Sequence, residues 1–156
     1  VSGILGRSAI AKVNQDELFA LLEDRRAPGA QAAAAIDAAR VLRRNHDLDA
    51  VVLTRGADGA AWIDRERVHR TEAYPPPGFV DAVGAGDAFT AVVVAGLGAS
   101  RPPEAILPQA ARFAAAACAI RGATDRDPEF YDDVRRFVAP GRAVPREASP
   151  QGGSRG

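Results

Sequence analysis

One stretch limits the possible folds more than any other: Phe-Val-Asp-Ala-Val-Gly-Ala-Gly-Asp-Ala-Phe-Thr-Ala, from Phe79 to Ala91. It begins as an extended run, turns through three small residues and continues as a helix to about Leu97, which places Asp87 in the helix's first turn. The backbone N–H groups of a first turn have no partners within the helix, and the helix dipole favours negative charge there. Gly84, Ala85 and Gly86 leave room for a bulky anion to reach those donors. Asp87 brings to the same turn a carboxylate able to take a proton, so an anion hole and a base are expected side by side.

Two other ways of holding phosphate fail on the letters. A P-loop needs Gly-Lys-Ser/Thr, yet the sole lysine, Lys12, lies between Ala11 and Val13. A dinucleotide fingerprint needs Gly-x-Gly-x-x-Gly, and Gly84-Ala85-Gly86-Asp87-Ala88-Phe89 puts a bulky ring where the third glycine belongs. His69-Arg70-Thr71 lacks the Asp and Asn of a protein-kinase catalytic loop.

Along the chain, Ile10 to Val13 is a short candidate strand and Gln15 to Arg26 an amphipathic helix, with Leu18, Leu21 and Leu22 on one face. Asn14 and Glu17 have the spacing of a capping box at its start, which explains both residues without a ligand. Pro28-Gly29 breaks the chain, and Gln31 to Asn45 returns to helix. Ala50 to Thr54 suits a buried parallel strand. Arg55 to Gly59 then turns, Ala60 to Ile63 pairs back as a hairpin, and Arg67 to His69 follows another turn. Trp62 and Tyr74 are expected to pack in the core or at its rim. Gly98 to Pro103 interrupts the pattern before an Ala-rich helix over Ala105 to Ile120, in which Cys118 reads as a small buried apolar residue. A final helix spans Glu129 to Val138. The tail from Ala139 to Gly156, rich in Pro, Gly, Ser and Arg, is expected to be disordered.

At 156 residues the length suits one domain with a sizeable core. Formal net charge is zero, which argues against an electrostatic footprint for nucleic acid or anionic lipid. Of the 20 basic residues only Lys12 is a lysine, and with the abundance of alanine this reads as the codon habit of a GC-rich genome. The single Cys118 excludes an internal disulfide and a Cys-cluster metal site, so a reducing cytoplasm is compatible. No uncharged apolar run approaches the ~18 residues of a membrane span, and no signal-peptide pattern opens the sequence.

Asp81-Ala82-Val83-Gly84-Ala85-Gly86-Asp87-Ala88-Phe89 resembles the C-terminal signature of the ribokinase-like (PfkB) carbohydrate kinases, usually Asp-Thr-Val-Gly-Ala-Gly-Asp. It departs at Ala82, where Thr is usual, and again after Thr90. Lys12 to Glu17 resembles the family's Asn-x-x-Glu motif, Val51 to Gly59 its strand ending Thr-x-Gly-x-x-Gly, and Arg121 to Thr124 the Gly-Ala turn that closes its nucleotide site. Together these cover roughly Ala11 to Tyr131, a far more specific match than one Gly-rich loop.

The resemblance implies a three-layer α/β/α fold with a mostly parallel sheet and a β-hairpin. Only the C-terminal half is expected, in residues 1–138. It implies an ATP-dependent sugar kinase in which Asp87 is the catalytic base, Gly84, Ala85 and Gly86 form the catalytic turn, and the N–H groups of Ala85, Gly86 and Asp87 make the anion hole. Asn14 and Glu17 would place phosphate and the water shell of Mg²⁺, while Thr54, Gly56 and Gly59 would line the nucleotide phosphates. Asp81 with the carbonyls of Val83 and Gly122 would hold a monovalent cation such as K⁺. Phe113 to Thr124 and Asp127 to Tyr131 resemble bacterial fructokinase-type members most, so fructose is the expected sugar, with ribose, 2-keto-3-deoxygluconate and sugar phosphates open. Residues that would read the sugar lie in an N-terminal lobe with no counterpart here. The expected partners are therefore nucleotide, sugar, that missing lobe or a homo-oligomer. The competing expectation is a noncatalytic nucleotide-binding or interaction fragment that needs a partner chain for activity. An oxidoreductase is a weak third.

Overall fold

The computed structural model describes residues 9–22, 32–76, 78–120, 125 and 127–139. Four strands form one sheet in chain order: β1 (Ile10–Asn14), β2 (Ala50–Thr54), β3 (Ala60–Ile63) and β4 (Val68–Thr71). Between β1 and β2 run α1 (Gln15–Leu21) and α2 (Ala32–Asn45); after β4 come α3 (Ala85–Gly98), α4 (Pro103–Ala117) and α5 (Asp132–Val138). Helices and sheet thus make the layered α/β arrangement that the resemblance implies.

The strands alternate in what they bury, as a period of two requires. Ala11, Val13, Val51, Leu53, Ala61 and Ile63 pack with Leu18, Phe19, Ile36 and Leu42 of α1 and α2. Ala50, Val52, Ala60 and Trp62 pack on the other side with Phe89, Val92, Ile106 and Leu107 of α3 and α4. Two cores on opposite faces make the three layers. Leu18, Leu42, Leu53 and Ile63 are fully buried, each worth about 1.5–3 kcal/mol of transfer free energy. Trp62 is a core residue at 4% exposure, as expected.

The described sheet is mixed where a mostly parallel one was expected. Only β1 and β2 pair in parallel, Ile10 opposite Ala50 through Asn14 opposite Thr54. β2–β3 and β3–β4 are antiparallel. The reason is local: tight turns join only antiparallel neighbours, whereas the parallel pair takes the long crossover through α1 and α2. Gly59 closes the first turn at φ 80°, and Asp64 closes the second by accepting from the N–H groups of Glu66 and Arg67 at 2.8 and 2.6 Å.

Several boundaries move for identifiable reasons. Pro103 is the first residue of α4 and does not belong to the break before it, because proline's fixed φ suits that position. The helix ends at Ala117, beyond which Ala119 and Ile120 donate three residues back, to Ala116 and Ala117, in a tighter turn. Cys118 is thus the half-buried cap of α4, outside the helix interior. The last helix divides into a 3₁₀ turn, Pro128–Tyr131, and α5. The expected break at Pro28-Gly29, the end of the first helix beyond Leu22, Gly122 and the tail from residue 140 lie outside the described residues.

Candidate active site

The segment entering α3 is irregular where an extended run was expected, and Phe79, Val80 and Val83 are exposed at 69, 52 and 59%. It is held at one end by the carbonyl of Cys118, which accepts from the N–H groups of Val80 at 2.8 Å and Asp81 at 3.2 Å. Asp81 Oδ1 then accepts from the Val83 N–H at 3.0 Å, an Asx turn. The Ala85 N–H donates to the Ala82 carbonyl at 3.2 Å across a turn in which Gly84 has φ 85° and ψ −9°. Those angles belong to the third residue of a type II turn and favour glycine.

The turn leaves α3 without a side-chain cap. Ala85 spends its N–H on Ala82, and the first helical bond runs from the Ala88 N–H to the Gly84 carbonyl at 2.8 Å. Among the described residues the N–H groups of Gly86 and Asp87 have no partner. Two of the three donors expected of the anion hole are therefore open, and the third closes the turn. The Asp87 side chain is exposed in the same turn and makes no hydrogen bond or ion pair.

A cavity of about 460 Å³ connects this turn to the hairpin. Thr54, Gly56 and Gly59 line it at the β2–β3 end, Ala85 and Gly86 at the α3 end, and Tyr74, Phe79, Ala111, Ala115 and Cys118 make its apolar wall. It lies beyond the carboxyl end of β2, where open α/β sheets take ligands. Tyr74, expected only to pack, contributes to that wall, and the Arg112 guanidinium lies 5.1 Å from its ring centroid. The wall residues escape a reading of the sequence because alanine, a lone cysteine and a loop tyrosine carry no motif.

Asn14, Glu17, Asp81 and Val83 are not part of the cavity lining. Asn14 ends β1 opposite Thr54 and also caps α1: its Oδ1 accepts from the Glu17 N–H, and Glu17 Oε2 from the Asn14 N–H, both at 2.8 Å. Gly59 is hemmed in by β4, since a β-carbon there would stand 2.1 Å from the Thr71 carbonyl oxygen. Asp81 and Val83 are in the entry turn, and Gly122 is outside the described residues.

No group of three or more His, Cys, Asp or Glu is placed to hold a metal ion among the described residues. Mg²⁺ keeps most of its water and takes one or two carboxylates beside phosphate oxygens. Glu17 suits the part, as its cap engages Oε2 and leaves Oε1 unengaged.

The model of the pfkB family carbohydrate kinases matches residues 2–129. Solved structures agree in fold. Ribokinase of Arabidopsis thaliana complexed with ribose and ATP is 23% identical with a TM-score of 0.73, over 88% of this chain and 43% of that one. Phosphofructokinase-2 of Escherichia coli in complex with potassium is 23% identical with a TM-score of 0.69, over 88% and 44%. A ribokinase II from E. coli in complex with ATP and Mg²⁺ is 23% identical with a TM-score of 0.66, over 88% and 41%. The chain thus spans less than half the length of these proteins. No curated protein matches it. With its signature turn, its layered sheet and a match over most of its length, the chain belongs to the pfkB family of carbohydrate kinases.

Proposed function

We propose that this chain is the nucleotide-binding and catalytic half of an ATP-dependent sugar kinase. The observation that carries the reading is the cavity that runs from Thr54 and Gly56 to Gly86, ending at a helix turn with two open N–H groups. A triphosphate laid along it would put its terminal phosphate at those donors.

In the proposed reaction the sugar hydroxyl oxygen forms a bond to the γ-phosphorus as the bond from that phosphorus to the β–γ bridging oxygen breaks. ADP leaves, and the hydroxyl proton passes to Asp87. The N–H groups of Gly86 and Asp87 stabilise charge on the transferring group, while Gly84 and Ala85 shape the turn that presents them. Phosphoryl transfer asks a protein mainly for positioning and electrostatics, so one base and one anion hole suffice. When bound, Mg²⁺ neutralises phosphate charge, with Asn14 and Glu17 ordering its water shell. Thr54, Gly56 and Gly59 would flank the nucleotide, and Asp81 with the carbonyls of Val83 and Gly122 would hold K⁺. Complexes of relatives with ATP and Mg²⁺ and with potassium support this assignment of cofactors.

Fructose is the acceptor we favour, on the resemblance of residues 113–131 to fructokinase-type sequences. The relatives' extra length supports a sugar-reading lobe supplied from outside this sequence, as a longer chain, a partner polypeptide or another copy. We place the enzyme in the cytoplasm, a reducing compartment compatible with its single cysteine. The same partial coverage favours a second reading, in which the chain alone binds nucleotide without turnover.

Assays of the chain alone and with an upstream sugar-binding lobe separate the two readings. Asp87→Asn in the complete enzyme should lower kcat at least a hundredfold and leave the Kd for MgATP within about threefold, in line with the loss of a general base. Full turnover by that variant would remove Asp87 from the mechanism.

A further inference from the structure

Asp81 is bonded in two directions ahead of α3. Its N–H donates to the Cys118 carbonyl at 3.2 Å, which ties it to the end of α4 and to a residue of the cavity wall. Its Oδ1 accepts from the Val83 N–H at 3.0 Å. Val83 is also the second residue of the following turn, which the Ala85 N–H closes on the Ala82 carbonyl at 3.2 Å. The two turns overlap, so the Asp81 side chain holds the start of the one that contains Gly84.

Packing does little to fix that start. Residues 79–84 belong to no helix or strand, and the side chains of Phe79, Val80, Ala82 and Val83 are exposed. Their conformation therefore depends on the hydrogen bonds and on the left-handed backbone of Gly84. Where α3 begins decides which donors stay open: the turn consumes the Ala85 N–H and leaves those of Gly86 and Asp87. A start displaced by one residue would exchange these donors and swing them by about 100° around the helix axis. Their aim is thus set outside the helix.

We infer that Asp81 is a positioning residue for phosphoryl transfer: its bond to the Val83 N–H fixes the turn that aims the Gly86 and Asp87 N–H groups at the terminal phosphate. This rests on the kinase reading above and adds to it a part for Asp81 that requires no bound cation. The bond needs an acceptor oxygen on Cγ, and no charge. Asparagine supplies that oxygen at the same distance, while glutamate keeps the charge and carries its oxygens one carbon further from the backbone, beyond the ring that the turn closes. A residue acting only as a cation ligand would rank the two replacements the other way.

Calorimetric titration with the magnesium complexes of ADP and a nonhydrolysable ATP analogue, with tetramethylammonium as the only monovalent cation, tests the assignment. Asp81→Asn should bind the triphosphate within about twofold of wild type, whereas Asp81→Ala and Asp81→Glu should weaken it by about tenfold or more, as misaimed groups do. ADP, which stops short of the open N–H groups, should bind to all of these proteins alike. Melting curves of the nucleotide-free variants show that each is folded, and if Asp81→Ala is not, the asparagine and glutamate variants decide between them. Tighter triphosphate binding by Asp81→Glu than by Asp81→Asn, or wild-type affinity in every variant, overturns the inference while the kinase reading survives. An equal loss for both nucleotides also overturns it, because the damage would then reach beyond the terminal phosphate. Wild-type protein that binds neither nucleotide removes the kinase reading together with this inference.

Discussion

Asn14 and Glu17 hold each other by two reciprocal hydrogen bonds of 2.8 Å, each from a backbone N–H to the other's side chain. The bonds complete a capping box at the start of α1, so structural and ligand roles fall on the same residues and must be separated by experiment. Asn14→Ala should cost about 1 kcal/mol in urea denaturation, because an orphan donor of the helix loses its acceptor. Glu17→Gln keeps an oxygen for the cap and should change stability by less than about 0.5 kcal/mol. If Glu17 also orders the water shell of Mg²⁺, the same variant raises the magnesium concentration needed for half-maximal activity several-fold. An unchanged magnesium dependence would leave Glu17 with the cap alone.

Gly84 and Gly86 are two residues apart and should respond oppositely to alanine. At Gly84 the backbone is left-handed, with φ 85°, so Gly84→Ala should destabilise by about 1–2 kcal/mol. Gly86 is helical, and a β-carbon there meets only Lys12 Nζ at an ordinary 3.7 Å. Gly86→Ala should be neutral or stabilising by up to about 1 kcal/mol, yet the methyl group would occupy the space beside the open N–H groups. Binding of MgATP should then fall at least tenfold in a protein that melts no lower than wild type. Normal affinity in that variant would show that the phosphate lies elsewhere.

The hairpin glycines make a second contrast. A β-carbon at Gly59 would lie 2.1 Å from the Thr71 carbonyl oxygen and 2.8 Å from the Glu72 carbonyl carbon, both backbone, at φ 80°. Gly59→Ala should therefore cost more than about 2 kcal/mol, the range of severe backbone strain. Gly56 has φ 55° with open space around it, so Gly56→Ala should cost about 1 kcal/mol for the left-handed backbone alone. Urea midpoints of the two variants check the order, and equal costs would refute it.

Cys118 is the only cysteine and lines the cavity wall, which makes alkylation a direct report on occupancy. Saturating MgATP should slow its reaction with iodoacetamide at least fivefold. Rates unchanged by nucleotide would place the ligand outside this cavity. Ala115→Leu, on the same wall, should weaken nucleotide binding by filling the space that the alanines leave.

What the sequence determined by itself is local in origin. The Gly-Ala-Gly turn, the first turn of α3 with Asp87 in it, the cap of Asn14 and Glu17 and the hairpin over Ala50 to Ile63 each follow from neighbours within a few residues. Turn conformation, capping and period-two burial act at that range. Pro103 misled because proline both ends one helix and opens the next, and only the downstream packing of Ile106 and Leu107 decides between them. Tertiary structure alone decided which distant residues meet. It brought Thr54 and Gly56 to one cavity with Gly86, joined the Cys118 carbonyl to Val80 and Asp81, and set the ammonium of Lys12 against a helix that begins 73 positions later, at Ala85. These meetings depend on two helical layers closing on opposite faces of one sheet, and no periodicity within a single segment encodes that closure.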